Sequence, residues 1–199
     1  MPTQKRPIAK VTTKRLANEQ YRLACKEPYL WMQKAGEVRR AADVLWGIFE
    51  LELTSHSTGK YSHGPFFGDT ALMLYGLVVE NLFKALLTDR GLSASPTGNF
   101  SQKSHDLLAL ATKLDFLLDD SEAELLERLQ NFVEWAGRYP IPLYADGLYS
   151  RQLVAGGEGA LYGISSLDGV RISAILSRIE AMLPSEGEAL SRYASGYGA

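Results

Sequence analysis

Three short stretches carry the side chains most able to do chemistry. In the apolar run from Ala71 to Leu87, Glu80 and Lys84 stand four residues apart in acid-first order, the spacing at which two side chains share a helix face and pair. Downstream, Ser104, His105, Asp106 and Leu107 read as the opening of another helix, where free backbone donors and an end charge that favours carboxylates gather. The third stretch, Trp135 to Pro140, brings Arg138 beside Tyr139. Together they suit phosphate chemistry, with His105 as general base or acid, oriented by Glu80, and with Lys84 and Arg138 stabilising a pentacoordinate phosphate. Histidine fits that part because it exchanges protons near neutrality. The same four side chains equally suit a satisfied polar network that ties three helices together.

A second candidate site lies in the connection from Tyr139 to Gly163. Arg138, Tyr139, Tyr144, Tyr149, Arg151 and Tyr162 interleave cations with aromatic rings, a composition that can stack bases and neutralise phosphates. A protein-partner or dimer contact, or packing of the tyrosines on their own surface, explains the same composition. Gly156, Gly157, Glu158 and Gly159 lack both the Lys-Ser/Thr ending of a phosphate-binding loop and a strand before it, so they read as a flexible linker. His56, His63 and Asp69 bring too few ligands to predict a metal site, and the lone Cys25 cannot form an internal disulfide. No metal or cofactor is expected.

Helices must position these groups, because the dominant apolar period is helical. Trp31, Ala35, Val38, Ala42, Leu45 and Phe49 recur at spacings of three and four, predicting a helix from Pro28 to Leu53 whose seam is a candidate dimer interface. A shorter helix over about Lys14 to Cys25 precedes it. From Phe67 to Arg90 the chain is apolar on nearly every face, which predicts a central helix stopped by Gly91. Ser104 is the expected N-cap of a four-turn helix that turns Leu107, Leu110, Ala111, Leu114, Leu117 and Leu118 inward. Ser121 and Glu124 form a capping box for the next, with Leu125, Leu129, Phe132, Val133 and Ala136 inside and Glu122, Glu127, Arg128 and Gln130 on the wet side. Ile172, Ile175, Leu176, Ile179 and Leu183 define a last helix opened near Ser165 or Ser166. Trp31, Trp46 and Trp135 fall on these stripes and read as core. No segment alternates with period two, so the expected fold is all-α, an antiparallel four- or five-helix bundle.

With 199 residues, 46% of them hydrophobic, and a formal net charge of -2, the chain suits one globular domain. No uninterrupted apolar run approaches the ~20 residues of a membrane-spanning helix, and no apolar block follows the N-terminal charges as it would in a secretory signal. A cytoplasmic protein without membrane contact is expected. Five basic and no acidic residues fall within the first 15 positions. The predicted organisation is a basic flexible arm over 1–14, one helical domain over 15–183 and a flexible tail over 184–199.

The apolar helix bearing Glu80, Asn81 and Lys84 and ending near Gly91, the loop after it, and the helix opening with His105, Asp106 and Leu107 form a pattern with Arg138, Tyr139 and Pro140. Over roughly Pro65 to Pro142 this resembles the HEPN (higher eukaryotes and prokaryotes nucleotide-binding) superfamily of helical bundles. The resemblance implies a link to RNA or nucleotides, a homodimer, and a place in prokaryotic stress, defence or toxin systems. Many catalytic members of that superfamily are metal-independent ribonucleases with an arginine followed four to six residues later by a histidine. No such pair exists here, since Arg40 is the nearest arginine before His56 and His63, and Arg90 the nearest before His105. The expectation is therefore a binding or regulatory module. The alternatives are a divergent metal-independent ribonuclease using His105 and Arg138, and a structural protein-interaction module.

Overall fold

A segment that is apolar on every face has no orientation that suits a surface, and Gly68–Asp89 lies at the centre of the protein. The computed structural model describes residues 8–57, 67–93, 100–101, 105–138, 151–152, 158–159 and 163–196. Among them regular structure runs α1 (Ile8–Ala24), α2 (Tyr29–Ser57), α3 (Gly68–Asp89), α4 (Leu107–Lys113), α5 (Asp120–Asn131), a π-helical turn (Phe132–Ala136), α6 (Asp168–Glu180) and α7 (Glu186–Gly196). The fold is all-α, and among the described residues its one departure from helix is a two-residue antiparallel pair, β1 (Arg151–Gln152) with β2 (Glu158–Gly159).

Helix α3 packs on α2, α4, α5, the π-helical turn and α6. The predicted α2 seam is spent inside the molecule: Ala35, Ala42 and Phe49 are buried in one cluster with Trp46 of the same helix and with Leu72, Tyr75, Val79 and Leu82 of α3, and Val38 and Leu45 pack against it half-buried. That seam is not free for a dimer interface. The exposed apolar stripe of α2 consists instead of Val44, Ile48 and Leu51. An 18-residue window of α3 reaches a mean hydropathy of 1.5, enough by length and composition for a membrane span even though Glu80 and Lys84 interrupt its apolar run, and 72% of it is buried inside the fold.

Local chemistry moves several predicted boundaries. Gly91, at φ +70, closes α3 as expected, with Leu92 N–H donating to the Leu87 carbonyl. Ser104 lies outside the described residues, and the N-cap of α4 is Asp106, which accepts from Ala109 N–H at 2.9 Å. Helix α4 ends after two turns because Asp115 adopts φ 52, turning Phe116 onto Phe83 and leaving Leu117 exposed rather than inward. The capping box of α5 is Asp119 with Glu122, not Ser121 with Glu124. The Glu122 N–H holds the Asp119 carboxyl below the usual carboxylate range.

Helix α6 opens at Asp168 rather than Ser165 or Ser166, and the reason lies on α5. Arg128, read as solvent-facing, is buried and forks onto Asp168 through Nη2 to Oδ1 at 2.6 Å and Nη1 to Oδ2 at 2.9 Å. Arg128 Nη1 also donates to the Gly163 carbonyl.

The terminal segments also differ from expectation. Residues 8–14 belong to α1, and the expected C-terminal tail contains α7. Ala189 buries α7, and Arg192 joins it to Glu27 and Asp89 at 3.1 and 2.9 Å.

Close approach fixes how α3 meets the chain after α5. A Cβ on Gly76 would lie 2.6 Å from Val133 Cγ2 and 2.9 Å from the Leu129 carbonyl oxygen, and one on Gly137 would lie 2.3 Å from Met73 Cβ. Gly76→Ala is expected to lower the unfolding free energy by ~1–3 kcal/mol through overpacking, measured by urea denaturation.

Candidate functional site

Glu80 and Lys84 both project from α3 into packed surroundings, with relative exposures of 5% and 6%. Lys84 Nζ donates to Glu80 Oε1 at 2.5 Å, so the predicted pair forms within one helix. On its other side Lys84 stands 5.8 Å from the ring centroid of Trp31, which stacks on Phe100 at 4.7 Å. The Trp31 indole N–H donates to the Ala24 carbonyl, which fixes the ring. Lys84 is thus walled in, and it does not line the cleft in which a phosphate would meet Arg138. The place expected for Lys84, on a bound phosphate beside Arg138, is therefore not where the structure puts its ammonium, which pairs with Glu80.

Glu80 has a second oxygen, and it points outward along the polar path. Its Oε2 lies 2.9 Å from His105 Nδ1. With Lys84 neutralising the carboxylate, Glu80 accepts and His105 Nδ1–H donates. The imidazole side chain is 59% exposed, and Nε2 has no partner among the described residues. His105 is held in place by its sequence neighbours, since Asp106 caps α4 and Leu107 N–H donates to Gln130 Oε1 at 3.1 Å.

Arg138 reaches the same cleft by a different route. Helix α5 widens into the π-helical turn, and Gly137 N–H then donates to the Phe132 carbonyl at 3.1 Å. Such turns carry one more residue than an α-turn and often mark functional positions. The Arg138 guanidinium donates to the Glu134 carbonyl. His105, Arg138 and Glu134 line a cleft of about 220 Å³ with Met73, Leu77 and Val133 as its apolar wall.

Three of the four predicted catalytic residues therefore form a continuous path from Lys84 through Glu80 to His105, and the fourth, Arg138, lines the cleft that His105 also lines. Sequence reasoning missed Glu134 and Gln130. Glu134 precedes Arg138 by four residues, a spacing that could have suggested it, whereas Gln130 acts through a backbone N–H that no spacing announces. The cleft can hold an anion between an imidazole and a guanidinium, but the Glu134 carboxylate on its wall lowers the charge it will accept.

The second predicted site is only partly within the described residues. Tyr139, Tyr144, Tyr149 and Tyr162 lie outside them, and Arg151 is seen as the backbone of β1. His63 likewise lies outside, and no group of three or more histidine, cysteine, aspartate or glutamate residues that could hold a metal occurs among the described residues. Burial raises the Asp69 carboxyl above the usual range. Cys25 is buried and Trp46 belongs to the core, whereas Trp31 and Trp135 are only partly buried. No family model matches the chain, and neither the curated proteins nor the solved structures give a match.

Lys84→Met should isolate the buried Glu80 charge and cost ~3–5 kcal/mol in urea denaturation, while Glu80→Gln with Lys84→Met recovers most of that loss. His105→Ala, which leaves the second oxygen of the buried Glu80 carboxylate without its imidazole partner, is expected to cost ~1–3 kcal/mol in the same assay, less than Lys84→Met.

Proposed function

We propose that this chain is a HEPN-like binding or regulatory module, linked to RNA or nucleotides, with the His105–Arg138 cleft as its phosphate-recognising site. The observation that carries the reading is the convergence of His105 and Arg138 on one cleft, with His105 oriented by the buried Glu80–Lys84 pair. At about 220 Å³ the cleft lies below the ~300–1,000 Å³ usual for whole small ligands. It suits a phosphate group presented by a larger molecule that remains outside. The absence of an arginine followed four to six residues later by histidine supports binding over the usual cleavage chemistry. The packing of α2, α4, α5 and α6 around α3 is compatible with a helical bundle of that superfamily. The proposal places the protein in the cytoplasm of a prokaryote, in a stress or defence system, without cofactor or metal. It includes a homodimer, for which Val44, Ile48 and Leu51 offer an apolar face.

A divergent metal-independent ribonuclease is the second reading, and it is favoured by the exposed His105 imidazole, whose Nε2 has no partner among the described residues. In that reading Nε2 takes the proton of the 2′-hydroxyl as its oxygen bonds to phosphorus, Arg138 balances the charge that builds there, and the P–O5′ bond breaks with the leaving 5′-oxygen protonated by water. A structural interaction module is the third, resting on the tyrosines of residues 139–162.

Incubation of the purified protein with mixed RNA in chelator, with binding and cleavage followed together, separates these readings. Salt-sensitive binding without cleavage, weakened by Arg138→Ala, is the expected result. Cleavage abolished in both His105→Ala and Arg138→Ala would establish the nuclease instead, and neither binding nor cleavage would overturn the link to RNA.

A further inference from the structure

The basic N-terminal segment has no part in the His105–Arg138 cleft. Seven of the chain's 21 lysines and arginines, but one of its 23 acidic residues, fall within the first 26 positions, so that segment is net +6 and the remainder net −8. Most of the segment is α1, and the fold leaves that helix uncovered. From Thr13 to Arg22 every residue except Glu19 is exposed. Anchoring comes over the last turn, where Leu23 meets Gly196, the Tyr21 hydroxyl accepts from Phe100 N–H at 3.1 Å, and the Ala24 carbonyl accepts the Trp31 indole N–H.

Helical spacing gathers the cations on one side. At 3.6 residues per turn, Lys14, Arg15 and Arg22 fall within an arc of ~100°, with Asn18 near its middle. Lys14, Arg22 and Asn18 are all exposed, and neither cation forms an ion pair among the described residues. Arg15 pairs with Glu19 at 2.8 Å, but its side chain is 80% exposed, and such a pair is weak enough to yield to a phosphate.

The other residues of α1 select among polyanions. A helix that lies on an anionic membrane needs a continuous apolar face opposite its cations, and here exposed Leu16 stands among Thr13, Glu19 and Gln20. Single strands are held by stacking on several rings, whereas the one ring of α1 is Tyr21, tied through its hydroxyl to Phe100. A lone helix of 17 residues, ~10–12 Å across with its side chains, matches the ~12 Å major groove of B-form DNA. The narrower major groove of A-form RNA does not admit it.

We propose that α1 docks in the major groove of duplex DNA, with Lys14, Arg15 and Arg22 on phosphates and Asn18 toward the base edges. The net negative remainder of the chain is repelled by DNA, which leaves the contact to α1. This site is independent of the RNA-linked cleft.

Fluorescence anisotropy of the full chain with a labelled duplex DNA lacking terminal phosphates tests it, and the outcome leaves the cleft reading untouched. Binding that weakens steeply with salt is expected. The triple variant Lys14→Ala, Arg15→Ala, Arg22→Ala weakens it at least ~tenfold and lowers the slope of log affinity on log salt by ~2–3, with circular dichroism reporting its folding. Undiminished binding in the folded triple variant, or no salt-sensitive binding by the wild-type chain, would overturn the proposal. Equal affinity for an A-form RNA duplex would overturn the groove assignment. Binding to phosphatidylserine vesicles, or self-association, that is lost in the triple variant while DNA is ignored would give the helix to a membrane or to a second copy instead.

Discussion

Everything in this protein is arranged around the need to cover α3 on all sides. A surface helix needs one neighbour for its apolar stripe, but α3 has apolar residues round its whole circumference, and five other elements pack against it. Burial of that surface supplies the driving force, at roughly 25 cal/mol per Å² of apolar area removed from water. It also sets the terms for every polar group α3 carries. Glu80, Lys84 and Thr88 are all buried, and each is accounted for: Glu80 with Lys84, and the Thr88 hydroxyl with the Lys84 carbonyl.

The site follows from one incompleteness in that covering. Glu80 has two oxygens, and α3 itself supplies a partner for only one of them. The second is satisfied from outside α3, by His105 at the entrance to α4. A requirement of the core, that a buried carboxylate be fully hydrogen-bonded, thereby fixes the orientation of a solvent-facing imidazole. The glycines complete the geometry. Gly76 and Gly137 let the chain after α5 approach α3 closely enough for Arg138 to reach the same cleft.

Elements with a strong period were readable from the amino-acid order. The extents of α2 and α3 match the recurrence of Trp31 to Phe49 and the all-round apolar run to within a few residues, and the pairing of Glu80 with Lys84 follows from their spacing alone. What escaped depends on partners distant in sequence. Arg128 sits at a position that its own helix would turn to water, and only Asp168, forty residues later, makes its burial tolerable. Helix α7 has a thin apolar face, and it docks through Arg192 onto Glu27 and Asp89. The shift of each N-cap by about two residues has a local cause, because Asp106 and Asp119 offer the same acceptor geometry as the nearby serines and win by position. The π-helical turn left no mark in the apolar period, which continues through Phe132, Val133 and Ala136 as an α-helix would.

The most extensive packing in the molecule joins α2 to α3, two long helices that are also consecutive in the chain. Contacts between successive elements close short loops and lose little chain entropy, so this hairpin is the cheapest part of the structure to assemble first. The bond from Arg128 to Asp168 and the docking of Arg192 onto Glu27 span far longer stretches and repay their closure only once the hairpin stands. The order of assembly is thereby divided. Truncations such as Phe49→Ala or Leu72→Ala are expected to act mainly on the rate of folding, whereas changes in α6 and α7 are expected to act mainly on how fast the finished protein comes apart.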